Sequence, residues 1–261
     1  MMNSPIVLLT DFGLQDHYVA SMKGVILSIY PAAMIVDLSH GVEPQNITQG
    51  AMLLEAAFKD FSKGSIFVCV VDPGVGTKRK ALCVKTQHYY FLGPDNGILS
   101  LALNHEKNIV TRSLENSKFF LKAKPSSTFH GRDIFSPAAA HLAKRNIFNR
   151  MGPAISKIHR LELPKVRKTR NKLEGEIIYF DHFGNAITNI HERDAKQEFW
   201  KTAKVSMKEM DIGKLRTTYG HGPRSLAALL NSSSQLEIAM PSGSAKQEAS
   251  LERGDSVTVS L

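Results

Sequence analysis

Cysteine is scarce in this 261-residue chain, which contains only Cys69 and Cys83. Both lie in apolar runs that predict neighbouring strands, at residues 66–71 and 81–86, and they form no Cys-x-x-Cys pair. No basic segment or small-residue cleavage site accompanies the first apolar run, so we expect no secretory signal. A disulfide framework or a cysteine-ligated metal is therefore disfavoured. We expect two buried free thiols in a cytoplasmic protein.

Long apolar runs and metal-binding patterns are missing as well. No stretch approaches the roughly 20 consecutive apolar residues that a membrane span needs. The ten histidines include no His-x-x-x-His pair, which disfavours a metal site. The glycine-rich segment at residues 72–79 lacks the Gly-Lys-Ser/Thr ending of a phosphate-binding P-loop. We therefore predict a soluble protein without a membrane span, a bound metal ion or a cofactor.

Acidic residues are outnumbered, with 24 Asp and Glu against 33 Lys and Arg, and the formal net charge is +9. Such an excess raises nucleic-acid binding as an alternative function. The densest basic stretch, residues 165–172, contains no aromatic residue for base stacking and falls in a predicted connector. A solvated linker is the simpler interpretation, so nucleic-acid binding is the less favoured alternative.

The first half of the chain alternates strand-like and helix-like patterns. Residues 6–10, 34–38 and 65–71 predict strands, while 16–30 and 47–58 carry apolar residues at helical spacing. This βαβαβ order implies an α/β domain with a mostly parallel sheet and helices on both faces. Further expected elements are strands at residues 81–86, 89–92 and 108–111 and helices at 96–103 and 133–145.

The second half of the chain shows a different pattern of predicted elements. A turn-rich, basic segment over residues 151–172 predicts a linker, and the short strands beyond it predict a compact β-barrel or sandwich of about 90 residues. We therefore divide the chain into an α/β domain over residues 1–160 and a linker with a smaller C-terminal β-barrel domain over residues 161–261. The strands of the barrel are expected at residues 173–180, 186–190, 204–207, 225–230, 236–240 and 256–261.

Polar residues follow the first and third predicted strands, where the loops of an open parallel sheet form a crevice. Asp11 and Asp16 follow the first strand, and each is a candidate helix N-cap. As site residues, Asp11 would accept hydrogen bonds from two vicinal ribose hydroxyls and Asp16 would face a cationic group. Asp72 and Arg79 flank a tight loop after the third strand, where they form either an ordinary turn ion pair or part of a site.

Two further segments of the first half precede predicted helices. In residues 93–97 (GPDNG), Asp95 or Asn96 is expected to cap the helix that follows. His130 lies between an aromatic residue and a glycine at a helix entry. A lone loop histidine usually has no function, but one that is exposed enough to titrate can serve acid/base chemistry or anion contact.

In the second half, residues 180–185 mix aromatic and hydrogen-bonding groups at the junction of two strands. The segment predicts a plain hairpin turn in which Gly184 supplies a positive φ. As a site, it offers Phe183 for stacking on a base, Asn185 for a bidentate amide contact to a purine, and Asp181 for a cation.

The motifs, in this order, resemble the S-adenosylmethionine (SAM) hydrolase family, also called SAM hydroxide adenosyltransferases, which are relatives of the bacterial fluorinase and chlorinase. Each motif is short, but together they span the chain and are highly specific. The matching segments are residues 10–13 (TDFG) with Asp16, 72–76 (DPGVG) with Arg79, 93–97 (GPDNG), 128–133 (TFHGRD), 181–185 (DHFGN) with 188–190 (TNI), and 231–239.

The resemblance implies a trimer in which SAM binds between the α/β domain of one subunit and the β-barrel of its neighbour. By position, Asp72, Arg79 and His130 match the triad that handles the attacking water, and Asp11 matches the ribose-binding carboxylate. The other implied contacts are to the methionine moiety, from Asp16, Asp181 and Ser232, and to the adenine, from Phe183, Asn185 and the backbone near Ser242.

The same resemblance favours water over halide as the nucleophile. The halogenating relatives carry a tyrosine where this chain has Asp72, and they have an insertion after the strand at residues 81–86 that is absent here. Ser233 and Met240 stand where the fluorinase has arginines, and residues 240–242 (MPS) depart from the expected glycine- or asparagine-rich loop. We predict hydrolysis of SAM to adenosine and L-methionine. A halogenase of the same fold and a non-catalytic SAM or adenosine sensor are the alternatives.

The three triad positions also carry an expectation about stability. They lie at loop positions with little apolar packing to lose. We therefore expect substitutions there to leave folding almost intact while lowering turnover by roughly a hundredfold or more.

Overall fold

The computed structural model describes residues 4–220 and 224–261. The chain forms two compact units, the first ending at Leu161 and the second beginning at Glu162. Each unit has its own sheet and its own hydrophobic core. No helix within the described residues is long and apolar enough to cross a membrane.

A seven-stranded sheet forms the centre of the first unit, in the order β2-β1-β3-β5-β4-β6-β7. Its strands are β1 (Ile6–Thr10), β2 (Ile35–Ser39), β3 (Ile66–Val70), β4 (Ala81–Lys85), β5 (Tyr90–Pro94), β6 (Val110–Ser113) and β7 (Ala154–Ile155).

The sheet is mixed, so the prediction of a mostly parallel sheet is only partly right. β2, β1, β3 and β5 pair in parallel, whereas β4, β6 and β7 join through antiparallel pairs. The reason lies between β4 and β5, which are joined by residues 86–89 only. A parallel crossover needs about a dozen residues or more, so this connection allows only a hairpin.

Helices cover both faces of this sheet. α1 (Tyr18–Ile29) and α4 (Ser136–Arg145) contribute to one core cluster, and α2 (Ile47–Ala57) and α3 (Ser100–Leu103) contribute to the other. α4 follows directly on a π-helical segment, Gly131–Phe135. The helix expected at residues 96–103 is reduced to the single turn of α3. The helix expected at residues 133–145 begins within the π-helical segment and continues as α4.

β1 shows why both faces are apolar. Ile6 packs with Met22 of α1 in one core cluster, and Val7 packs with Leu54 of α2 in the other. Successive side chains of a strand point to opposite faces, and every residue of β1 and β3 is buried. A strand that is covered on both sides reads as a continuous apolar run, which is how these strands appear in the sequence.

The second unit is a nearly closed antiparallel barrel, as predicted for the C-terminal part of the chain. The strand order is β12-β11-β15-β9-β10-β14-β13, with β8 beside β9. Just beyond β12, Arg216 N donates to Ala228 O of β13 at 2.8 Å, which brings the two ends of the sheet together. The strands are β8 (Arg167–Lys168), β9 (Lys172–Phe180), β10 (Ala186–His191), β11 (Lys204–Met207), β12 (Met210–Lys214), β13 (Ala227–Leu230), β14 (Gln235–Ala239) and β15 (Ser256–Ser260).

Candidate active site

Three charged or titratable side chains meet at the carboxyl end of β3. Asp72 lies just beyond this strand, and Arg79 binds both of its carboxylate oxygens. The Arg79 Nε donates to Oδ1 at 3.0 Å and its Nη2 donates to Oδ2. The same Nη2 lies 2.7 Å from Nδ1 of His130. The structure therefore brings together the three residues that the family resemblance selected.

The protonation state of His130 follows from this geometry. A guanidinium group only donates hydrogen bonds, so its contact with Nδ1 requires that nitrogen to be unprotonated and places the ring proton on Nε2. Burial lowers the pKa of His130, and the charge of Arg79 lowers it further, while Asp72 and Asp133 oppose this. His130 is therefore a neutral imidazole that offers an Nε2–H donor.

Asp11 follows β1 and is bound by the backbone of a neighbouring loop. Its Oδ2 accepts a hydrogen bond from Gln45 N at 2.8 Å. Burial raises the pKa of Asp11 against the lowering effect of backbone hydrogen bonds, and the charge of Asp72 raises it further. Gln45 has a φ of +66°, in the left-handed region that non-glycine residues seldom occupy. This uncommon conformation presents its N–H to Asp11.

A cavity of about 400 Å³ lies against Asp11, Asp72 and His130, whereas Arg79 is not among its lining residues. Its wall combines Asp11, Asp72 and His130 with three aromatic rings that touch one another. The ring centroids of Phe12 and Phe129 are 5.8 Å apart and those of Tyr18 and Phe129 are 5.2 Å apart. A carboxylate-bearing pocket with aromatic walls suits a small cationic molecule that has its own apolar or aromatic part. The lining residues are Asp11, Phe12, Tyr18, Pro44, Gln45, Val70, Asp72, Pro73, Val75, Thr128, Phe129, His130 and Gly131.

The predicted helix caps of the first unit are wrong. α1 has His17 at its N-cap without a side-chain hydrogen bond, so neither Asp11 nor Asp16 caps it. Asp16 is exposed and is not among the residues that line the cavity of the first unit.

Asn96 makes a structural hydrogen bond that the sequence did not indicate. α3 begins at Ser100 with Leu99 as its N-cap, so neither Asp95 nor Asn96 caps it. Asn96 Nδ2 instead donates to Val71 O at 2.8 Å. Because Val71 immediately precedes Asp72, this bond fixes the backbone that carries the carboxylate.

In the second unit, residues 181–185 form a self-bonded turn. Asp181 Oδ1 accepts hydrogen bonds from Phe183 N and Asn185 N, and Oδ2 accepts one from Asn185 Nδ2, each at 2.9 Å. Gly184 has a φ of +79°, as the hairpin interpretation predicted. Asn185 is buried and Phe183 is 72% exposed. The exposed Phe183 ring is available for stacking, whereas the Asn185 amide nitrogen already donates a hydrogen bond to Asp181.

The two serines of the second unit lie in different turns. Ser232 is exposed in the turn between β13 and β14. Ser242 has a φ of +58°, which is the conformation that glycine or asparagine most readily adopts. It lines a second cavity, of about 330 Å³, together with Tyr219, Gly220, Arg224 and Pro241.

Glu237 and Tyr219 form a polar pair in the barrel that sequence reasoning missed. Glu237 is 3% exposed on β14, and Tyr219 Oη donates to its Oε1 at 2.8 Å. Burial raises the pKa of Glu237 although hydrogen bonds from Tyr219 and Asn231 lower it. Burial and the bond to Glu237 raise the pKa of Tyr219 to about 12. A glutamate inside the apolar run at residues 236–239 was the available signal.

Within residues 4–220 and 224–261, no group of three or more His, Cys, Asp or Glu side chains is arranged to hold a metal ion.

Two family models match most of the chain. Residues 6–152 match the SAM hydroxide adenosyltransferase N-terminal domain, and residues 175–258 match the C-terminal domain. A protein of Thermus thermophilus named (R)-S-adenosyl-L-methionine hydrolase is 35% identical over 96% of this chain and 97% of its own length. A protein of the same name from Methanocaldococcus jannaschii is 33% identical over 90% of this chain and 87% of its own length.

The chain is also similar to a more distant relative and to a protein of known structure. A protein of an Actinoplanes species named fluorinase is 29% identical over 75% of this chain and 74% of its own length. The crystal structure of an uncharacterized conserved protein from Thermotoga maritima superposes with a TM-score of 0.90 at 36% identity. It covers 98% of this chain and 100% of that one.

Proposed function

The chain belongs to the SAM hydroxide adenosyltransferase family, and we propose that it hydrolyses SAM to adenosine and L-methionine by attack of an activated water at the ribose C5′ carbon. The observation that carries this proposal is the cavity of the first unit, in which Asp11, Asp72 and His130 face a common space. Its carboxylates and aromatic rings match the charge and shape of a sulfonium nucleoside. SAM is the substrate in this proposal, and no cofactor takes part.

Charge explains why such a pocket suits the reaction. Methionine leaves as a neutral thioether, so the leaving group needs no acid catalyst. The enzyme has to place a water opposite the C5′–S bond and remove a proton from it. An anionic nucleophile that attacks a sulfonium cation loses charge in the transition state. A pocket withdrawn from water therefore favours the transition state over the separated ions.

The three triad residues divide the handling of the water between them. His130 Nε2–H holds the oxygen of the water, and the charge of Arg79, which does not itself line the cavity, helps to stabilise the developing negative charge. Asp72 orients Arg79 through two bonds and still has free lone pairs, because each carboxylate oxygen carries two. The oxygen forms a bond to C5′, the C5′–S bond breaks with its electron pair passing to sulfur, and the proton passes to Asp72 and then to solvent.

The rest of the substrate is assigned to residues of both units. Asp11 binds the two ribose hydroxyls. We propose a homotrimer in which the second unit of a neighbouring subunit completes the site, and the 72% exposure of Phe183 supports an outward-facing contact. The two buried free thiols support a cytoplasmic location. The methionine contacts are assigned to Asp16, Asp181 and Ser232, and the adenine contacts to Phe183, Asn185 and the backbone at Ser242.

The decisive experiment incubates the purified protein with SAM in buffers with and without chloride or fluoride and identifies the products by mass spectrometry. Adenosine and methionine are expected in every buffer. In ¹⁸O-water the label should enter the 5′-hydroxyl of adenosine, because the C5′–O bond is made from solvent. A 5′-haloadenosine as the main product would instead identify a halogenase, and SAM that is bound but never consumed would identify a sensor.

A further inference from the structure

A buried histidine beside the segment that carries Asp11, His40, takes no part in the reaction described above. It follows β2 and is 5% exposed. Its Nδ1 lies 2.8 Å from Thr10 Oγ1, and both groups are buried. Its Nε2 lies 3.0 Å from Asp37 Oδ1 without forming a well-directed hydrogen bond. The other Asp37 oxygen accepts a hydrogen bond from Lys23 Nζ at 2.6 Å.

The direction of these contacts follows from the charge on Asp37. Partial burial raises the pKa of this carboxyl, but Lys23 and His40 together hold it below its usual value, so Asp37 is an ionised acceptor. A proton on His40 Nε2 therefore faces Asp37, and Nδ1 accepts the Thr10 hydroxyl proton. The Thr10 oxygen is then free to accept from Phe12 N, at 3.2 Å.

His40 also contacts this loop through its backbone, because Gly13 N donates to His40 O at 2.8 Å. The segment at residues 10–13 is thus attached to His40 at both ends, through a side chain at Thr10 and a main-chain bond at Gly13. Asp11 lies between the two attachments, and its own carboxylate is bound by Gln45 N from the same loop region. The orientation of Asp11 therefore depends on where His40 sits.

We propose that His40 is a positioning residue that holds the Asp11 carboxylate in the geometry for the two ribose hydroxyls. This inference rests on the proposed ribose-binding function of Asp11. A site whose groups are held by a second layer of hydrogen bonds loses much of its effect when a group shifts by about 1 Å. His40 itself is buried and acts through Thr10 and Gly13.

The test compares two ligands that differ only in the diol, adenosine and 2′,3′-dideoxyadenosine, by calorimetry on the full-length protein. His40→Ala is expected to weaken adenosine binding by roughly tenfold and to change dideoxyadenosine binding by less than about twofold. With SAM, KM should rise by a similar factor while kcat changes little. Once Asp11→Ala is present, adding His40→Ala should have no further effect on adenosine binding, because the two residues act on the same contact.

Three further variants separate positioning from folding. His40→Asn places an amide oxygen near the former Nδ1 and should restore most of the preference for the diol, and Thr10→Ser should keep it. Thr10→Val removes the hydroxyl at almost equal volume and should lose the preference even if His40→Ala does not fold. His105→Ala is the matched control, because this histidine binds Glu55 at 2.7 Å and should affect neither ligand.

The inference is overturned if His40→Ala and Thr10→Val leave the diol preference unchanged, or if they weaken both ligands equally. An Asp11→Ala variant that binds both ligands like the parent would overturn it as well, by removing the proposed function of Asp11. The parent's hydrolysis of SAM, measured separately, tells these cases apart. If the parent hydrolyses SAM and His40→Ala keeps the parent's preference for the diol, only the positioning role of His40 is rejected. If the parent neither binds nor consumes SAM, the proposed function itself is rejected.

Discussion

At the scale of single residues, the candidate site contains an ion pair, Asp72 with Arg79, in which both side chains are buried. Asp72 and Arg79 expose only 4% and 10% of their side chains, so neither is an ordinary surface partner. A buried ion pair that loses one member leaves an uncompensated charge and costs about 3–5 kcal/mol. We therefore expect truncation of either residue to lower stability, in contrast to the almost unchanged stability expected from the sequence. That expectation rested on loop position alone, and the sequence does not reveal that the side chains of Asp72 and Arg79 are buried.

The first prediction separates catalysis from folding with near-isosteric variants. Asp72→Asn keeps a hydrogen-bond acceptor for Arg79, Arg79→Lys keeps the positive charge, and His130→Asn keeps an acceptor near Nδ1 but removes the Nε2–H donor. We expect each to lower kcat for SAM by roughly a hundredfold or more and to leave KM within a few-fold. Initial rates measured by chromatography of adenosine, with thermal unfolding as the control, test this. Wild-type turnover in any folded variant would remove that residue's proposed role.

The second prediction concerns the proton on His130. Because burial and Arg79 lower its pKa, the ring should titrate below the ordinary value of 6.5 in an NMR titration assigned with a His130→Asn sample. The neutral form is the active one in the proposed mechanism, so the acid limb of kcat/KM should also lie below 6.5. Arg79→Gln removes one of the two lowering causes, so the pKa of His130 should rise in that variant.

The sign of the stability effect follows from the same shift. The unfolded chain binds the His130 proton at a higher pH than the folded protein does. This group's contribution to stability is therefore complete above about pH 6.5 and decreases as the pH falls towards the lower folded pKa. A folded-state titration at or above 6.5 would contradict both the neutral imidazole and its bond from Arg79.

At the scale of secondary structure, the order of β1 and β3 explains how distant residues meet. The two strands are parallel neighbours, and Thr10 pairs with Val70. Asp11 and Asp72 therefore leave the sheet at the same edge. This part was predictable, because a βαβ pattern places strand carboxyl ends together. The antiparallel pairing of β4 with β5 was predictable too, because only two residues separate the strands expected at residues 81–86 and 89–92. The π-helical segment after His130 was not, since apolar periodicity does not locate a one-residue shift in helical register.

The third prediction tests how the loop after β3 is held against the loop before His130. Gly76 has a φ of +77°, and a Cβ there would lie 2.3 Å from Ser127 O. Gly76→Ala must therefore displace one of the two loops that carry the triad. We expect lower thermal stability and a kcat reduced by roughly tenfold or more, because the reacting groups lose their alignment. Unfolding curves and SAM kinetics on the same preparation measure both effects.

A matched glycine separates backbone strain from this clash. Gly254 has a φ of +88°, and a Cβ added there would meet no atom within 4 Å, so Gly254→Ala introduces only the conformational strain of about 1–2 kcal/mol. It should lower stability and leave kcat unchanged. If Gly76→Ala behaves like Gly254→Ala in both assays, the contact between the two loops does not align the triad.

At the scale of the whole molecule, the candidate ligand-binding residues are divided between the two compact units. Asp11, Asp72 and His130 belong to the first unit, and Phe183 and Asn185 belong to the second. The division near residue 160 was predictable from the sequence, because segments with helical periodicity are followed there by short strand-like segments. The family resemblance had already placed Arg79 and His130 in one triad. The pair of Tyr219 with Glu237 was not visible, since it joins positions that are brought together only by the tertiary fold.

The last prediction uses this division to test the shared site of the proposed trimer. Asp72→Ala and Asn185→Ala subunits should each be inactive alone, because one lacks the proton acceptor and the other lacks an adenine contact. When the two are mixed after partial denaturation, subunit exchange should create sites that pair an intact first unit with an intact second unit from the neighbour. Activity on SAM should then return to a fraction of the parent value.

The exchange itself needs an independent measurement, because Asp72→Ala is expected to be less stable than the parent. Differently tagged subunits that co-purify after mixing establish that mixed oligomers have formed, and native mass spectrometry counts the subunits in them. A mixture of parent with each variant serves as the control for losses during refolding. If mixed oligomers form and hydrolysis of SAM never returns, the two mutated residues act within the same subunit, and the intersubunit site is wrong. Recovery of activity would require Asp72 and Asn185 to act from different chains, since no subunit of a mixed oligomer has both residues intact.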